Sequence, residues 1–239
     1  MSEEYNYDLV IVGGGPAGSS AAFAAAKNGI KVALIEKENT IAETVRTSGV
    51  TWIESIKEFG IPDDCYNPIK NFSFASPNNQ VTISDVVATA AVLDVRKTYR
   101  WLSNEAKKIG VDIFVKTNIN EVIKNDENDI VGVSGIGVNG KTSFHAKVII
   151  DATGFTSTIS KAMGFVTQWK RFGAGAEYEA KVENVDSETW WLMVGQEYTP
   201  AGYAWIFPLG NNIVRIGVGV GKPDSNIDPT QRLKDIIEK

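Results

Sequence analysis

The stretch from Tyr7 to Lys37, YDLVIVGGGPAGSSAAFAAAKNGIKVALIEK, determines the fold that the rest of the chain must fit. Its apolar run Leu9–Val12 predicts a buried strand, and the alanine-rich segment that ends at Asn28-Gly29 predicts a helix. The run Lys31–Ile35 predicts a second strand, which is followed by Glu36. Strand, helix and strand in this order indicate one βαβ unit, whose helix begins directly after a glycine turn.

The glycines of this turn, Gly13, Gly15 and Gly18, follow the spacing G-x-G-x-x-G. Gly13 would permit the tight turn, Gly15 would let the backbone approach a pyrophosphate, and Gly18 would let the helix lie close to the sheet. Pro16 suits the first helical turn, where its missing N–H costs nothing. Because free N–H groups and the positive end of the helix dipole meet here, the turn favours an anion.

Glu36 lies at the predicted tip of the second strand. A carboxylate at this point can accept hydrogen bonds from both hydroxyls of an adenosine ribose, and it would repel a 2′-phosphate. The sequence therefore predicts an NAD-like or FAD-like dinucleotide rather than NADP.

The composition limits the classes of protein to which the chain can belong. Its 239 residues suffice for one large or two modest domains, and a net charge of −5 without a run of lysines or arginines argues against a nucleic-acid partner. Cys65 is the only cysteine and His145 the only histidine, so neither a metal site nor a Cys/His dyad is expected. The acidic N-terminus and the lack of an apolar run of ~20 residues predict a cytoplasmic protein, whose membrane contact, if it has any, is peripheral and on the inner face.

Two later segments bring further groups toward the predicted nucleotide site. Asp94–Ile109 has the apolar spacing of an amphipathic helix, with Arg96 in its first turn, where a cation opposes the helix dipole. Arg96 either binds an external anion, such as a cofactor phosphate, or is an exposed solvated residue. A parallel strand and a three-stranded meander then lead into Asp151-Ala152-Thr153-Gly154, where the backbone returns to the nucleotide. These strands are predicted at Val111–Lys116, Glu121–Lys124, Ile130–Val138 and Lys141–Ile150.

Two other glycine-rich segments are rejected as phosphate-binding turns. Gly135, Gly137 and Gly140 repeat the G-x-G-x-x-G spacing, but they lie in an alternating strand that ends in a hairpin turn, with no helix after it. The segment Gly217–Lys222 lacks the P-loop spacing, and Pro223 stands where a Ser or Thr is required.

Beyond Gly164 the chain becomes rich in aromatic residues and alternating strands. Tyr203, Trp205 and Phe207 alternate on one predicted strand, so their rings point to one face of a sheet. These rings either form ordinary core or line a deep apolar pocket. The strands predicted for this region are Phe172–Val182, Thr189–Val194, Tyr203–Pro208 and Ile213–Gly221, and an earlier hairpin is predicted from Asn71–Ala75 and Gln80–Ser84.

The order of these motifs resembles a known family. The segment GGGPAG, a ribose acid, an arginine in an LD-x-R helix and a meander into DATG are similar to the FAD-dependent oxidoreductases of the p-hydroxybenzoate hydroxylase type. Within that group, Tyr203-Ala-Trp205-Ile-Phe207-Pro208 with Gly217 downstream resembles the Y-x-W-x-F-P…G signature of geranylgeranyl reductases. The resemblance implies FAD rather than free NAD and a sheet between the flavin and a tunnel for a long isoprenoid. It also implies reduction, by flavin hydride, of C=C bonds in the geranylgeranyl chains of archaeal-type membrane lipids or their precursors.

Together with the motifs above, the resemblance implies a set of FAD contacts: Gly13, Gly15, Pro16, Ala17, Gly18, Glu36, Lys37, Arg46, Thr47, Ser48, Val50, Arg96, Ile119, Ala152, Thr153 and Gly154. It places the substrate-facing signature on Tyr203, Trp205, Phe207 and Pro208. Tyr203 is the only polar side chain of that signature, and a packing role is favoured for it over the role of proton donor. No other catalytic residue is identified, because the redox chemistry belongs to the flavin.

The resemblance predicts an α/β fold in which a Rossmann-like, three-layer FAD-binding domain of the glutathione reductase type is interleaved with an antiparallel β-sheet substrate domain. The FAD-binding domain is expected at residues 1–70 and 88–165, the substrate domain at 71–87 and 166–222, and the start of a truncated helix at 223–239. Two departures from the family pattern matter. The loop Arg46–Val50 lacks the cysteine of the common R-C-G-x-G sequence, and no G-D segment follows Gly154, so the chain is expected to be the N-terminal part of such an enzyme.

Three alternatives remain at this point. One is a flavin monooxygenase or halogenase, because halogenases carry a similar tryptophan-rich signature. Another is a quinone-coupled electron-transfer flavoprotein oxidoreductase, for whose iron–sulfur cluster one cysteine is too few. The third is a non-catalytic fragment that holds FAD weakly. For the reductase, NAD(P)H or a ferredoxin is the expected electron donor, and the sequence does not indicate an oligomeric state.

Overall fold

The computed structural model describes residues 2–165 and 169–238. Its strands are β1 (Glu3–Val12), β2 (Val32–Ile35), β3 (Val50–Trp52), β4 (Tyr66–Ile69), β5 (Asn71–Ala75), β6 (Gln80–Ser84), β7 (Ala90–Leu93), β8 (Asp112–Phe114), β9 (Asn118–Lys124), β10 (Ile130–Gly137), β11 (Gly140–Asp151), β12 (Phe172–Lys181), β13 (Thr189–Val194), β14 (Gly202–Gly210) and β15 (Ile213–Lys222). Its helices are α1 (Pro16–Lys27), α2 (Ile53–Phe59), α3 (Val95–Lys108), α4 (Thr158–Ala162) and α5 (Pro229–Ile237). The chain divides into two compact units, residues 1–45 with 96–168 and residues 46–95 with 169–239.

The first unit is built around β1. This strand lies between β2 and β11 and runs parallel to both, with Leu9 opposite Val32 of β2 and Val148 of β11. β8 extends the parallel part beyond β2, while β10 and β9 add antiparallel strands beyond β11, in the order β8-β2-β1-β11-β10-β9. Because α1 connects β1 to β2, the predicted βαβ unit is confirmed.

Both faces of the parallel strands are buried, as their continuous apolar sequence requires. On one face, Ile11 shares a core with Ala22 of α1 and Ala106 of α3. On the other face, Val10 shares a core with side chains of the meander, namely Ile119, Val133 and Phe144. Helices thus cover one face of the parallel strands, and side chains of the meander, which continues the same sheet, cover the other. The predicted fold class is confirmed.

Helix ends follow the local sequence. Asn28 ends α1, where its side-chain amide donates to the carbonyl of Ala24 at 2.8 Å and Gly29 then takes a φ of 79°. Gly60 ends α2 with a φ of 65°, and Asp228 begins α5 by accepting a hydrogen bond from the N–H of Thr230 at 2.9 Å. Within the described residues, no helix is both long and apolar enough to cross a lipid bilayer.

In its described part, the second unit contains a six-stranded sheet in the order β12-β15-β14-β13-β5-β6 and a three-stranded sheet in the order β3-β7-β4. β12, β15, β14 and β13 pair antiparallel, as predicted. β13 and β5 run parallel, however, which corrects the expectation of an entirely antiparallel sheet. The reason is the connection: these strands are joined by a long segment rather than a hairpin, and only a long crossover can join parallel neighbours.

The two faces of the six-stranded sheet have different surroundings. On one face, Ala204 and Val218 share a core with Leu233 of α5. On the other face, Trp190, Trp205 and other side chains share a core with the three-stranded sheet, and the buried members are Ile69, Phe72, Ala90, Val92, Trp190, Trp205 and Phe207. The aromatic strand β14 is therefore covered on both sides.

The boundaries of the units differ from the predicted domain limits. Residues 46–70 and 88–95 were expected in the FAD-binding domain but lie in the second unit. Packing explains the difference, since Ile69 and Val92 share one core with Phe72 and Trp190. Of the predicted segments, residues 1, 166–168 and 239 lie outside the described residues. The assignment of cofactor and substrate roles to separate domains stays a prediction.

Candidate functional site

The glycine turn after β1 has the geometry that its spacing predicts. Gly13 has a φ of 113°, and a Cβ there would lie 2.2 Å from the carbonyl oxygen of Ala152. Its N–H donates to the carbonyl of Ile35 at 2.7 Å, which fixes the turn to the end of β2. Any side chain at Gly13 would therefore have to displace backbone, so glycine is required both for conformation and for space.

The next two glycines differ in their surroundings. A Cβ at Gly18 would lie 1.9 Å from the carbonyl oxygen of Gly13, so the missing side chain lets α1 pack closely. A Cβ at Gly15 would meet no atom within 4 Å. Gly15 therefore faces open space, and its lack of a side chain is not explained by packing within the protein.

The N-terminus of α1 is open to an anion. Pro16 lies in its first turn beside Ala17, no side chain caps the helix, and no acidic residue lies in that turn. The first N–H groups of a helix and its dipole attract negative charge. Together with the open space at Gly15, these features fit a dinucleotide diphosphate.

Glu36 lies beside the same turn, at the end of β2. Its Oε2 accepts a hydrogen bond from the N–H of Gly14 at 2.8 Å, and its Oε1 accepts one from the N–H of Glu38 at 2.9 Å. A carboxylate oxygen can accept more than one hydrogen bond, so the group retains capacity for ribose hydroxyls. Lys37 is exposed immediately after it.

The segment Asp151–Gly154 reaches this turn from β11. Ala152 donates its N–H to the carbonyl of Val12 at 2.8 Å, and Ala152 and Thr153 lie directly against Gly13. Gly154 has a φ of 68° and open space where a Cβ would lie. The predicted second return of the backbone to the glycine turn is therefore present.

Asp151 stabilises the segment Asp151–Gly154 through four hydrogen bonds to its carboxylate. Its Oδ1 accepts hydrogen bonds from the N–H and hydroxyl of Thr153 at 3.0 and 2.6 Å, and its Oδ2 accepts from the N–H and hydroxyl of Ser160, both at 2.7 Å. Burial alone would raise the pKa of Asp151, but these hydrogen bonds lower its pKa overall. The carboxylate thus stays ionised and ties the end of β11 to α4.

Two other predicted FAD contacts lie elsewhere in the first unit. Arg96 lies exposed in the first turn of α3, where no acidic residue lies. The side chain of Ile119 is buried in the core beside Val10 and Phe144, which leaves its backbone as the part that could contact a ligand.

The predicted FAD contacts Arg46, Thr47, Ser48 and Val50 belong to the second unit. Arg46 and Thr47 are exposed, and Val50 begins β3. The Nη1 of Arg215 donates to the carbonyl of Ser48 at 2.7 Å, and only 2% of the Arg215 side chain is exposed. A buried arginine on β15 therefore fixes this loop.

Tyr203, Trp205 and Phe207 lie on one face of β14, termed the ring face below. The ring centroids of Tyr203 and Trp205 are 5.7 Å apart, and those of Trp205 and Phe207 are 6.0 Å apart. Tyr203 is 48% exposed, whereas Trp205 and Phe207 are 8% and 4% exposed. The alternation is confirmed, and two of the three rings are core residues. Pro208 is buried, pairs with Val214 and does not share the ring face.

The rejected glycine segment of β15 has a packing role. A Cβ at Gly217 would lie 2.3 Å from Cζ2 of Trp205, and Gly219 and Gly175 also border this indole. Trp205 Nε1 is buried without a hydrogen-bond partner among the described residues, so packing alone holds the ring. The glycines of β15 make room for an indole rather than a phosphate.

Sequence reasoning missed several residues of these sites. The buried hydroxyl of Ser19 donates to the Gly14 carbonyl at 3.2 Å, and the anchoring roles of Asp151 and Arg215 were not anticipated. The Asp-x-Thr spacing was a usable signal for Asp151, because such pairs form local side-chain turns. A single arginine in the apolar strand β15 was a signal for a buried partner.

Comparison with known proteins identifies the family. A family profile described as FAD dependent oxidoreductase matches residues 8–192. The chain belongs to this family. FAD is accordingly its cofactor, as the family resemblance predicted, whereas the glycine turn and Glu36 predicted only a dinucleotide of the NAD or FAD kind. A second profile, described as geranylgeranyl reductase catalytic domain, matches residues 173–239 and includes the ring face of β14.

Named relatives agree with these matches. The chain is 36% identical to digeranylgeranylglycerophospholipid reductase of Methanocaldococcus jannaschii, over 97% of this chain and 59% of the relative. It is 31% identical to digeranylgeranylglycerophospholipid reductase 1 of Methanococcoides burtonii, over 97% and 59%. A solved geranylgeranyl bacteriochlorophyll reductase-like structure from Thermoplasma acidophilum has a TM-score of 0.88 at 28% identity, covering 98% of this chain and 62% of that one. The chain therefore spans about three-fifths of the length of these relatives.

Proposed function

We propose that this chain is part of an FAD-dependent reductase that saturates C=C bonds in the geranylgeranyl chains of archaeal-type membrane lipids or their precursors. The observation that carries the proposal is the match of residues 173–239 to a geranylgeranyl reductase catalytic domain. The names of the relatives at 31% and 36% identity support the same chemistry.

In this proposal the first unit binds FAD through backbone groups and a few side chains. The N-terminus of α1 at Gly15 and Ala17 receives the diphosphate, and Glu36 accepts the ribose hydroxyls. Arg96, the backbone at Ile119 and the segment Ala152–Gly154 supply further contacts. The loop Arg46–Val50 is a further contact that the family resemblance implies. When bound, FAD supplies the hydride for the reduction.

The ring face supplies the binding surface for the isoprenoid. Tyr203 is the ring of this face that stays accessible, while Trp205 and Phe207 hold the surface rigid from the core. An isolated alkene develops no oxyanion for the protein to stabilise, so positioning is the main contribution of these residues. Positioning can supply up to roughly 7–11 kcal/mol.

Two other parts of the function follow from the same proposal. A lipid substrate places the protein at the surface of a membrane, with peripheral contact on its cytoplasmic side. The electron donor is NAD(P)H, bound transiently, or a ferredoxin.

The test is a single-turnover reaction without oxygen. The purified protein is reconstituted with FAD, reduced with dithionite, and mixed with a detergent-solubilised diether lipid that carries two geranylgeranyl chains. The proposal expects the lipid to reoxidise the flavin and mass spectrometry to find lipid that has gained two hydrogens per bond reduced. A saturated phytanyl diether is the control and should leave the flavin reduced. No reoxidation by the unsaturated lipid would contradict the proposal.

A second candidate is a non-catalytic fragment, and the observation that favours it is the coverage of only 59% of the relatives. Under this alternative the chain folds but needs a partner or further chain to retain FAD. The absorbance of the purified protein discriminates the two, because bound flavin supports the reductase and a colourless folded protein supports the fragment.

A further inference from the structure

Glu177 places a carboxylate on the ring face. Glu177 of β12 lies directly opposite Gly217 of β15, and Gly217 lies directly opposite Trp205 of β14. Directly opposed residues share a face, so Glu177 and Trp205 are on the same side of the sheet. Gly217 has no side chain, and the indole of Trp205 covers it. Along this row from β14 to β12, the side chain that follows Trp205 is therefore Glu177.

The neighbouring charges of this face are already engaged. Arg215 donates from Nη2 to Oε1 of Glu179 at 2.7 Å, and from Nη1 to the carbonyls of Ser48 and Leu93 at 2.7 and 3.4 Å. Within the described residues, by contrast, the partly buried Glu177 carboxylate has no hydrogen bond or ion pair. Within the described residues, Glu177 is therefore a carboxylate on the ring face whose oxygens accept no hydrogen bond, whereas Arg215 and Glu179 on the same face are paired with each other.

The surroundings of Glu177 favour its protonated form. Burial raises the pKa of Glu177, the nearby Arg215 lowers it and the nearby Glu179 raises it, with a net upward shift. Tyr203 of β14 and Lys181 of β12 are the other titratable groups on this face by strand alternation. A glutamic acid whose pKa is raised keeps its proton to higher pH than an exposed one does, which suits it to act as a general acid.

We propose that Glu177 is the proton donor in the reduction of the isoprenoid double bond. This inference rests on the proposed function and names the residue that completes it. On the ring strand β14, Tyr203 is the only ionisable side chain, and a packing role is favoured for it. Glu177 supplies the catalytic acid that the sequence alone did not identify.

In this reduction the π bond of the alkene would break. One carbon would gain a hydride, with both of its electrons, from reduced FAD (FADH−), and the other would gain a proton from the Glu177 carboxyl, which solvent would then reprotonate. Alkene, FADH− and one proton would thus give alkane and FAD.

The test compares Glu177→Gln, Glu177→Asp and the matched control Glu183→Gln, which changes an exposed carboxylate in the turn after β12. Each protein is loaded with FAD, reduced with dithionite and mixed with the digeranylgeranyl diether across a range of pH.

Glu177→Gln is expected to slow lipid-dependent reoxidation by about 10²-fold or more, with unchanged FAD content. The wild-type rate should fall as pH rises through the Glu177 pKa, and this fall should be absent in Glu177→Gln. Glu177→Asp should restore part of the rate, and Glu183→Gln should match the wild type.

A second readout does not depend on turnover. Infrared difference spectra against pH should show, in the wild type, a protonated carboxyl that persists above the usual titration range of glutamate and is missing in Glu177→Gln. If the wild type reduces the lipid and Glu177→Gln does so at the same rate and with the same pH profile, the proton-donor assignment is wrong while the proposed function stands. If the wild type itself does not reduce the lipid, both fail.

Discussion

At the scale of single residues, the glycines of the α1 turn have separable tasks. Gly18 is needed for packing, because a Cβ there would meet the carbonyl of Gly13 at 1.9 Å. A Cβ at Gly15 would meet no atom within 4 Å, and the backbone of Gly15 has an ordinary φ of −69°. The fold therefore does not require a glycine at this position, and the predicted reason for it is the approach of a dinucleotide diphosphate.

This difference gives a paired prediction. Gly15→Ala should keep the free energy of unfolding within about 1 kcal/mol of the wild type, because the methyl group enters open space. It should nevertheless raise the dissociation constant for FAD at least tenfold, about 1.4 kcal/mol. Gly18→Ala should instead lower the free energy of unfolding by about 1–3 kcal/mol through overpacking. Urea denaturation and FAD titration measure both effects.

The result that would contradict this account is a Gly15→Ala variant with wild-type affinity for FAD. It would mean that the diphosphate does not approach the backbone at Gly15.

Asp151 gives a prediction for pH. Its pKa is lowered in the folded chain, so its hydrogen bonds stabilise the fold above the unfolded pKa of about 3.9, and this contribution disappears as pH falls through the folded pKa. Asp151→Asn should lower the free energy of unfolding at neutral pH by roughly 1–3 kcal/mol, since an amide cannot accept all four hydrogen bonds. The difference from the wild type should shrink in acid.

Denaturation at neutral and acidic pH checks this effect of Asp151. The control is Asp126→Asn, which changes an exposed aspartate in the turn between β9 and β10. A constant difference between wild type and Asp151→Asn at every pH would show that ionisation of Asp151 does not matter.

Residue roles that depend on local pattern were predictable, and those that depend on distant contacts were not. The glycine turn and Glu36 lie within one βαβ unit, so their spacing alone predicts their geometry. Arg215 donates to a carbonyl 167 residues away in the chain, at Ser48. No periodicity of β15 indicates which distant loop its arginine will reach, so this contact needed the tertiary structure.

At the scale of elements, the hairpin β14–β15 combines rings on one strand with glycines on the next. Gly217 lies under the indole of Trp205, with a distance of only 2.3 Å from its Cβ position to Cζ2. Gly173 of β12, by comparison, has nothing within 4 Å of its Cβ position. Substitution by alanine should therefore destabilise the protein at Gly217 and have little effect at Gly173 on the neighbouring strand.

Gly217→Ala is expected to push the indole from its place and to lower the free energy of unfolding by about 1–3 kcal/mol. Gly173→Ala should change it by less than about 0.5 kcal/mol. Chemical denaturation followed by tryptophan fluorescence measures both stability and the environment of the ring. Equal stability of the two variants would show that packing of the Trp205 indole does not require a glycine at position 217.

The strands of the second unit could largely be predicted from the sequence, but which strands pair with one another was harder to predict. Alternating aromatic residues and turn signals suffice to predict β14, β15 and the hairpin β5–β6, because these depend on neighbours in sequence. The parallel pairing of β13 with β5 joins residues such as Trp190 and Phe72, whose meeting depends on the core that they share. This core also placed β4 and β7 in the second unit, against the predicted domain limits.

At the scale of the whole molecule, one unit of the chain contains the glycine turn and Glu36, and the other contains an aromatic sheet. The family match extends over residues 8–192, which includes the whole turn and part of the sheet. The chain covers about three-fifths of its relatives, so the decisive question is whether these residues alone retain the cofactor.

Equilibrium titration of the purified apoprotein with FAD, followed by flavin fluorescence and by the absorbance of the protein after gel filtration, answers this question most directly. The account predicts binding of about one FAD per chain that survives gel filtration and is weakened by Gly15→Ala. A folded wild-type chain that takes up no FAD would contradict it.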